Sequence, residues 1–253
     1  MTADGIFHRA GEGQALFGGR IVIKADFEQL CITESQFVRA RPGAGPHVHR
    51  LHADSFYVLE GGLALLVHDT EHPLGPGACA CLPPGVVHGF RSTSAARFLN
   101  FHTPDGGFAA NLQALDRGEA GGFDSFDVPI GSGLPGTNVA VLPTGEGERL
   151  EGETRVATIK IGRDELSLIE FDLQPEFEGP EPHTHDDRVD AFYVLEGEVE
   201  FQLGDKKCHA GAGAFVAAPP GVVHTFTSGP GRSRLLNVHA PSGGFHDWLR
   251  ELG

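Results

Sequence analysis

Apolar residues along this chain come in short clusters, and glycine or proline interrupts nearly every one. Residues 20–24 (Arg-Ile-Val-Ile-Lys) and 166–173 (Leu-Ser-Leu-Ile-Glu-Phe-Asp-Leu) are rich in branched and aromatic side chains, as strands are. Residues 198–203 (Glu-Val-Glu-Phe-Gln-Leu) alternate polar with apolar, the period of a strand that has one wet face. Residues 62–67 (Gly-Leu-Ala-Leu-Leu-Val) are apolar on both faces, so the side bearing Ala64 and Leu66 is expected to be covered, by the other barrel or by another chain. Gly-Gly, Gly-Pro and Pro-Pro-Gly supply the turns between these runs. Helical spacing is confined to residues 107–115 and 244–252, the latter with Phe245, Trp248, Leu249 and Leu252 on one side. Asp105 and Ser242 stand where caps for them belong. The pattern predicts an all-β protein built of antiparallel barrels of jelly-roll type, each closed by a short C-terminal helix.

An internal repeat sets the number of barrels. Pro-His-Val-His at residues 46–49 returns as Pro-His-Thr-His at 182–185, Phe-Tyr-Val-Leu-Glu-Gly at 56–61 returns at 192–197, and Pro-Pro-Gly-Val-Val-His at 83–88 returns at 219–224, all at an offset of 136 residues. Leu99, Asn100 and His102 match Leu236, Asn237 and His239 at an offset of 137. So long a period means a duplicated domain, because solenoid repeats run to about 20–50 residues. The copies are placed at residues 6–118 and 139–253, with a linker over 119–138. Its Gly, Asp, Ser and Pro content is that of a connector, while Phe123, Phe126, Val128 and Ile130 predict that it packs along the surface.

Composition narrows the classes of function. Apolar residues make up 40% of the 253 positions, enough for packed cores, and the formal net charge of -15 argues against nucleic acid or an anionic membrane as partner. Cys31, Cys79, Cys81 and Cys208 are too few for a disulfide scaffold and are expected as buried free thiols. The first nine residues show no signal-peptide pattern and no apolar run approaches membrane length, so a cytoplasmic monomer or homodimer is expected.

Histidines carry the candidate chemistry. His47 and His49 are two apart on an extended segment, so both imidazoles point the same way. Asp54 shares parity with Phe56 and Val58, on the face expected to look into the barrel, and His88 follows Gly85 at the end of a strand. Three imidazoles and a carboxylate form a nitrogen and oxygen donor set suited to one divalent Fe, Mn, Co, Ni, Cu or Zn ion per barrel. The second copy repeats the set as His183, His185, Asp190 and His224. His52 is expected in an exposed loop, His102 and His239 in a shared structural role, and Tyr57 and Tyr193 in packing on the opposite face. Phe56, Val58, Phe192 and Val194 are expected to line apolar pockets suited to an aromatic or otherwise apolar small molecule.

These residues resemble the two motifs of the cupin superfamily, and the resemblance spans nearly the whole chain. The first motif appears as His47, His49, Asp54 and Gly61, and again as His183, His185, Asp190 and Gly197. The second appears as Gly77, Pro83, Gly85 and His88, and again as Gly213, Pro219, Gly221 and His224. Arg41 and Phe177 stand where the first motif opens on Gly, and Ser92 and Ser228 where the second ends on Asn. The acidic position is Asp where the family usually has Glu. A side chain one methylene shorter coordinates only with a shifted strand, or else orients a metal-bound water.

Cupins include oxygenases, decarboxylases, isomerases, hydrolases, cyclases and binding proteins, so the fold does not name the reaction. The Phe-Tyr-Val-Leu-Glu-Gly and Pro-Pro-Gly-Val-Val-His segments, with the closing Gly-Gly-Phe helix, resemble the quercetin 2,3-dioxygenase-like cupins. That resemblance implies cleavage of an enolic aromatic ring by O2, with Asp54 or Asp190 as general base for the substrate hydroxyl. The alternatives are a non-oxidative metal-dependent isomerase, cyclase, lyase or aminohydrolase, and a binding module without turnover.

Overall fold

In a computed structural model the described residues are 4–132 and 138–252. Residues 133–137 of the expected linker lie outside them. The expected β content is present, with two helices, α1 (Phe108–Asp116) and α2 (Phe245–Leu252). Gly107 is the N-cap of α1, and the Asp105 carboxylate expected as the cap instead accepts from the backbone N–H of Gly107 at 2.8 Å.

Contacts divide the chain into two compact units: Gln14–Glu146, and Gly147–Gly253 together with the stretch up to Gly13. These boundaries differ from the repeat boundaries for a reason the ladders show. Strand Ile6–His8 pairs with Phe215–Ala218 of the second copy, and strand Ala140–Leu142 pairs with Cys79–Leu82 of the first. Each copy thus gives its first strand to the other copy's sheet.

In the N-terminal unit strand His88–Thr103 runs between Ala53–Val67 and Leu30–Phe37, with Ile21–Phe27 and Gln14–Leu16 beyond. Register shifts between Ser92 and Ala96 and between Arg97 and Phe98 let this 16-residue strand bend around the core. The C-terminal unit splits the same path into a seven-stranded and a three-stranded sheet, so the ladders stay open where closed barrels were expected. Phe192 of the larger sheet meets Phe201 and Phe226 of the smaller at 5.1 and 5.2 Å between ring centroids, which places the core between the two sheets. In the N-terminal unit Phe37, Phe56 and Phe98 hold the same place.

The motif glycines have a steric reason. Gly61 and Gly197 adopt φ of 72° and 77°, and a Cβ at either would be driven into a carbonyl oxygen, that of Ala95 or of Arg232. Ala64 is buried and Leu66 half-buried in the single chain. All four cysteines are free, three buried and Cys208 half-buried. Among the described residues no helix is long and apolar enough to cross a membrane.

Candidate metal centres

The chain enters the N-terminal site through the short strand His47–Val48. His47 is paired directly with His88, the first residue of strand His88–Thr103. The same long strand, farther along, sets His102 beside Asp54. Two strand neighbours of one strand therefore bring together residues 41 positions apart in sequence. His47, His49, Asp54 and His88 are all buried, and one ligand atom from each lies within 4.8 Å of the others.

Hydrogen bonds decide which nitrogen faces inward. The Nδ1 of His47 is 2.7 Å from the carbonyl of Gly45, that of His49 2.5 Å from the carbonyl of Asp124, and that of His88 2.9 Å from the carbonyl of Val86. A carbonyl only accepts, so Nδ1 is the protonated nitrogen in each ring, and the lone pair of the neutral imidazole sits on Nε2. Burial pushes the His47 imidazole down to about 4, which keeps it neutral near pH 7. Asp54 Oδ2 lies 3.2 Å from His88 Nε2 and 3.7 Å from His49 Nε2. With the rings in their neutral form, lone pairs and a carboxylate oxygen thus converge with no hydrogen between them, and His49 Nε2 is buried without a hydrogen-bond partner. Such an arrangement is repulsive unless a cation occupies its centre, so the residues present fit a divalent metal.

The aspartate is braced from behind. Asn100 Nδ2 donates to Asp54 Oδ1 and, at 3.0 Å, to the carbonyl of Ser55. His102 Nε2 stands 3.7 Å from the same Oδ1. Burial alone would raise the Asp54 carboxyl, but the imidazoles of His102, His49 and His88 around it outweigh that and hold it well below the usual carboxylate range. The ring of Phe108, first residue of α1, stacks on His102 at 3.8 Å, which is how the closing helix reaches the site.

The second copy repeats this frame. His183 and His224 hold the carbonyls of Glu181 and Val222 through Nδ1, each at 2.9 Å. Asp190 Oδ2 faces His224 Nε2 at 3.0 Å and His185 Nε2 at 3.7 Å, and Asn237 donates to Oδ1 at 2.6 Å. His239 Nε2 lies 3.2 Å from that oxygen, and Phe245 of α2 stacks on His239. His185 Nε2 is again buried and unpartnered. The difference is depth: His183 and His185 are half-buried where His47 and His49 are buried.

The extra depth comes from the linker and from His52. His52 was expected in an exposed loop and is instead completely buried. It stacks on His49 at 4.1 Å, meets His102 through a 2.9 Å nitrogen–nitrogen hydrogen bond, and donates from Nδ1 to Asp124 Oδ2 at 3.1 Å. Burial pushes His52 down to about 4 and His102 to about 3. The Asp124 carboxylate also accepts from the backbone N–H groups of Arg50 and Leu51 at 2.9 and 2.5 Å. Phe123 lies against His49, His52 and Phe108, and strand Phe126–Asp127 pairs with His47–Val48. Residues 123–127 thus form a strap over the N-terminal site. The apolar residues of the linker were the signal that it packs somewhere; nothing local said where.

A cavity of about 410 Å³ opens onto His47, His49 and Asp54. Its apolar wall includes Phe37, Phe90, Phe98, Phe108 and Phe123. The expected pocket residues Phe56 and Val58 are in the hydrophobic core, with Phe56 packed behind Phe90 and Phe98 at 5.3 and 6.2 Å. Phe192 and Val194 occupy the equivalent core of the C-terminal unit. Tyr57 and Tyr193 are buried.

A family model described as "Cupin domain" matches residues 36–102 and again 169–239. A quercetin 2,3-dioxygenase of Bacillus subtilis (strain 168) is 24% identical over 286 residues, spanning 97% of this chain and 85% of that protein. Among solved structures, a glyoxylate-induced protein of Pseudomonas aeruginosa superposes with a TM-score of 0.63 at 18% identity, over 87% of this chain and 79% of the other. An oxalate decarboxylase of Bacillus subtilis, described with Mn(II) centres, superposes with a TM-score of 0.59 at 15% identity, over 95% and 78%.

Proposed function

Because the chain belongs to the cupin family, we propose that it is a metal-dependent enzyme whose N-terminal site oxidises an enolic aromatic small molecule with O2. The observation that carries this reading is the convergence of three Nε2 lone pairs and Asp54 Oδ2 at the floor of an aromatic cavity. His47, His49 and His88, with Asp54, are the residues that would hold the metal in this unit, and His183, His185, His224 and Asp190 in the other. A divalent ion bound there supplies Lewis acidity to a substrate hydroxyl and, where it is redox-active, a path for electrons.

The protein's own residues do the rest. The rings of Phe90, Phe98 and Phe123 bind a planar substrate and keep water from it. Asp54 is ionised, and its Oδ1 is tied down by Asn100. Oδ2, on the side of the metal site, is then the atom that would take the proton of the substrate hydroxyl as the hydroxyl reaches the ion. The C-terminal aspartate has the same bracing, but its histidines are half-buried, so turnover is assigned to the N-terminal site. The relative of Bacillus subtilis whose name states quercetin 2,3-dioxygenase supports the oxidative chemistry.

The test joins elemental analysis to O2 uptake. Protein loaded with Fe, Mn, Co or Ni is expected to bind two ions per chain and to consume O2 with a flavonol or enediol. His47→Ala with His49→Ala should abolish uptake and one of the two ions. Metal present with no O2 uptake, and turnover surviving under anaerobic conditions, would overturn the oxidative reading in favour of a lyase or isomerase.

A further inference from the structure

Most arginines of this acidic chain are answered by carboxylates. Arg91 is paired with Glu71, Arg97 with Glu34 and Glu60, Arg234 with Glu170 and Glu196, and Arg250 with Glu148 and Asp247. Arg20 and Arg41 differ. Among the described residues neither has a carboxylate partner, yet both stand in the wall of the cavity above His47, His49 and Asp54. Each guanidinium lies over a phenyl ring, Arg20 over Phe17 at 5.3 Å and Arg41 over Phe37 at 5.1 Å. Arg41 spends only Nε on the protein, at 3.4 Å from the carbonyl of Pro42. Phe37 in turn stacks on Phe90 at 6.5 Å and meets Phe98 edge-on at 5.5 Å, and both of those rings line the same cavity. A neighbouring groove of about 960 Å³ shares Arg20, Phe37, Arg41 and Pro42 in its wall and adds Arg39, so the positive charge marks the passage common to both spaces.

The charge at position 41 is also particular to one copy. Arg41 occupies the position where the first cupin motif opens on glycine, and the second copy has Phe177 there, packed on Phe226 at 5.9 Å. A guanidinium held over a ring by a cation–π contact restricts its own rotamers and keeps N–H donors to offer, which suits it to a planar anion. Asp127 is the acidic member of the cavity wall apart from Asp54, and it sits on the strap, paired with His47, while strand Arg41–Pro42 pairs with Arg91 and Ser92.

We propose that the N-terminal cavity takes a planar aromatic substrate bearing a carboxylate or similar anionic group, which Arg20 and Arg41 hold at the mouth while Phe37, Phe90 and Phe98 hold the ring. This deepens the reading of the N-terminal site as the substrate site and rests on it. It makes the two arginines specificity residues: they select for the anion and leave the metal donor set untouched.

The test is calorimetric titration of full-length, metal-loaded protein with 3-(4-hydroxyphenyl)propanoate and with its neutral amide, which differ only in charge. Wild type is expected to prefer the acid by about tenfold or more, the size of a charge-assisted contact. Arg20→Gln and Arg41→Gln should each weaken the acid by about tenfold and leave the amide within about twofold. Arg41→Lys should fall between, because a point charge replaces a planar fork. Equal affinity for acid and amide, or no binding of either, overturns the proposal. So does a preference that survives in the double variant, since the carboxylate would then be held by the metal. Thermal denaturation of each variant checks that the fold is kept. Binding is read without turnover, so an intact charge preference in a protein that never consumes O2 would sink the oxidative reading alone.

Discussion

At the scale of single residues, the metal centres depend on which atoms are already committed. Gly45, Asp124 and Val86 present carbonyls to three Nδ1 atoms, and that choice aims three Nε2 lone pairs at one point. Asn100 does the corresponding work for the carboxylate, and Asn237 repeats it. Outer partners of this kind typically change metal affinity by about 10–100-fold. Asn100→Ala is therefore expected to weaken the N-terminal ion within that range while the C-terminal ion stays bound, as read by competition with a chromophoric chelator. Equal weakening of both sites would count against this assignment. The clustering of His47, His49, Asp54 and His88 could be read directly from the chain, because spacing of two on an extended segment sets the direction of both imidazoles and the repeat shows the pattern twice. His52 could not, because its partner Asp124 is 72 residues away and no local rule connects them.

At the scale of elements, strands carry the site and one loop closes it. The bend in strand His88–Thr103 lets one element touch both His47 and Asp54. Beside its ladder to His47–Val48, the strap is tied down by the Asp124 carboxylate, which accepts from Arg50, Leu51 and His52. Removing it leaves those donors unanswered, at a cost of about 1–3 kcal/mol for each that stays buried. Asp124→Ala should speed hydrogen exchange at Arg50 and Leu51 and hasten metal loss from the N-terminal site alone. Unchanged exchange at those two amides would show that the strap does not depend on Asp124. A second element-level feature escapes pattern reading altogether. Lys24 is buried inside a strand with Nζ 3.0 Å from Glu34, Arg97 reaches the same carboxylate, and Lys160, Glu170 and Arg234 repeat the group. Each lysine looks in sequence like an ordinary polar strand position, and only the neighbouring strands reveal its burial.

At the scale of the whole molecule, the two copies share strands across the repeat. Strand Ile6–His8 opens the first copy in sequence but completes the sheet of the second. Deleting residues 1–9 is therefore expected to damage the C-terminal unit. Exchange should rise at Val216 and Ala217, which face Phe7 and Ile6, and the ion held by His183, His185 and His224 should loosen first. Loss confined to the N-terminal unit would contradict the pairing.

The amino-acid sequence by itself determined the all-β class, the duplication, both closing helices and the His and Asp residues that the structure brings together in two clusters. These follow from local periodicity, turn chemistry and short ligand spacing, and the repeat reports each of them twice. Only the tertiary structure decided which copy each first strand joins, that Phe56 and Val58 serve the core, and that residues 123–127 of the linker roof the N-terminal site. Those outcomes depend on contacts between distant segments, whose strength comes from burial and from hydrogen bonds to particular carbonyls and carboxylates. No stretch of sequence states them, because the side chains concerned look the same locally whether they face solvent, a core or a metal centre.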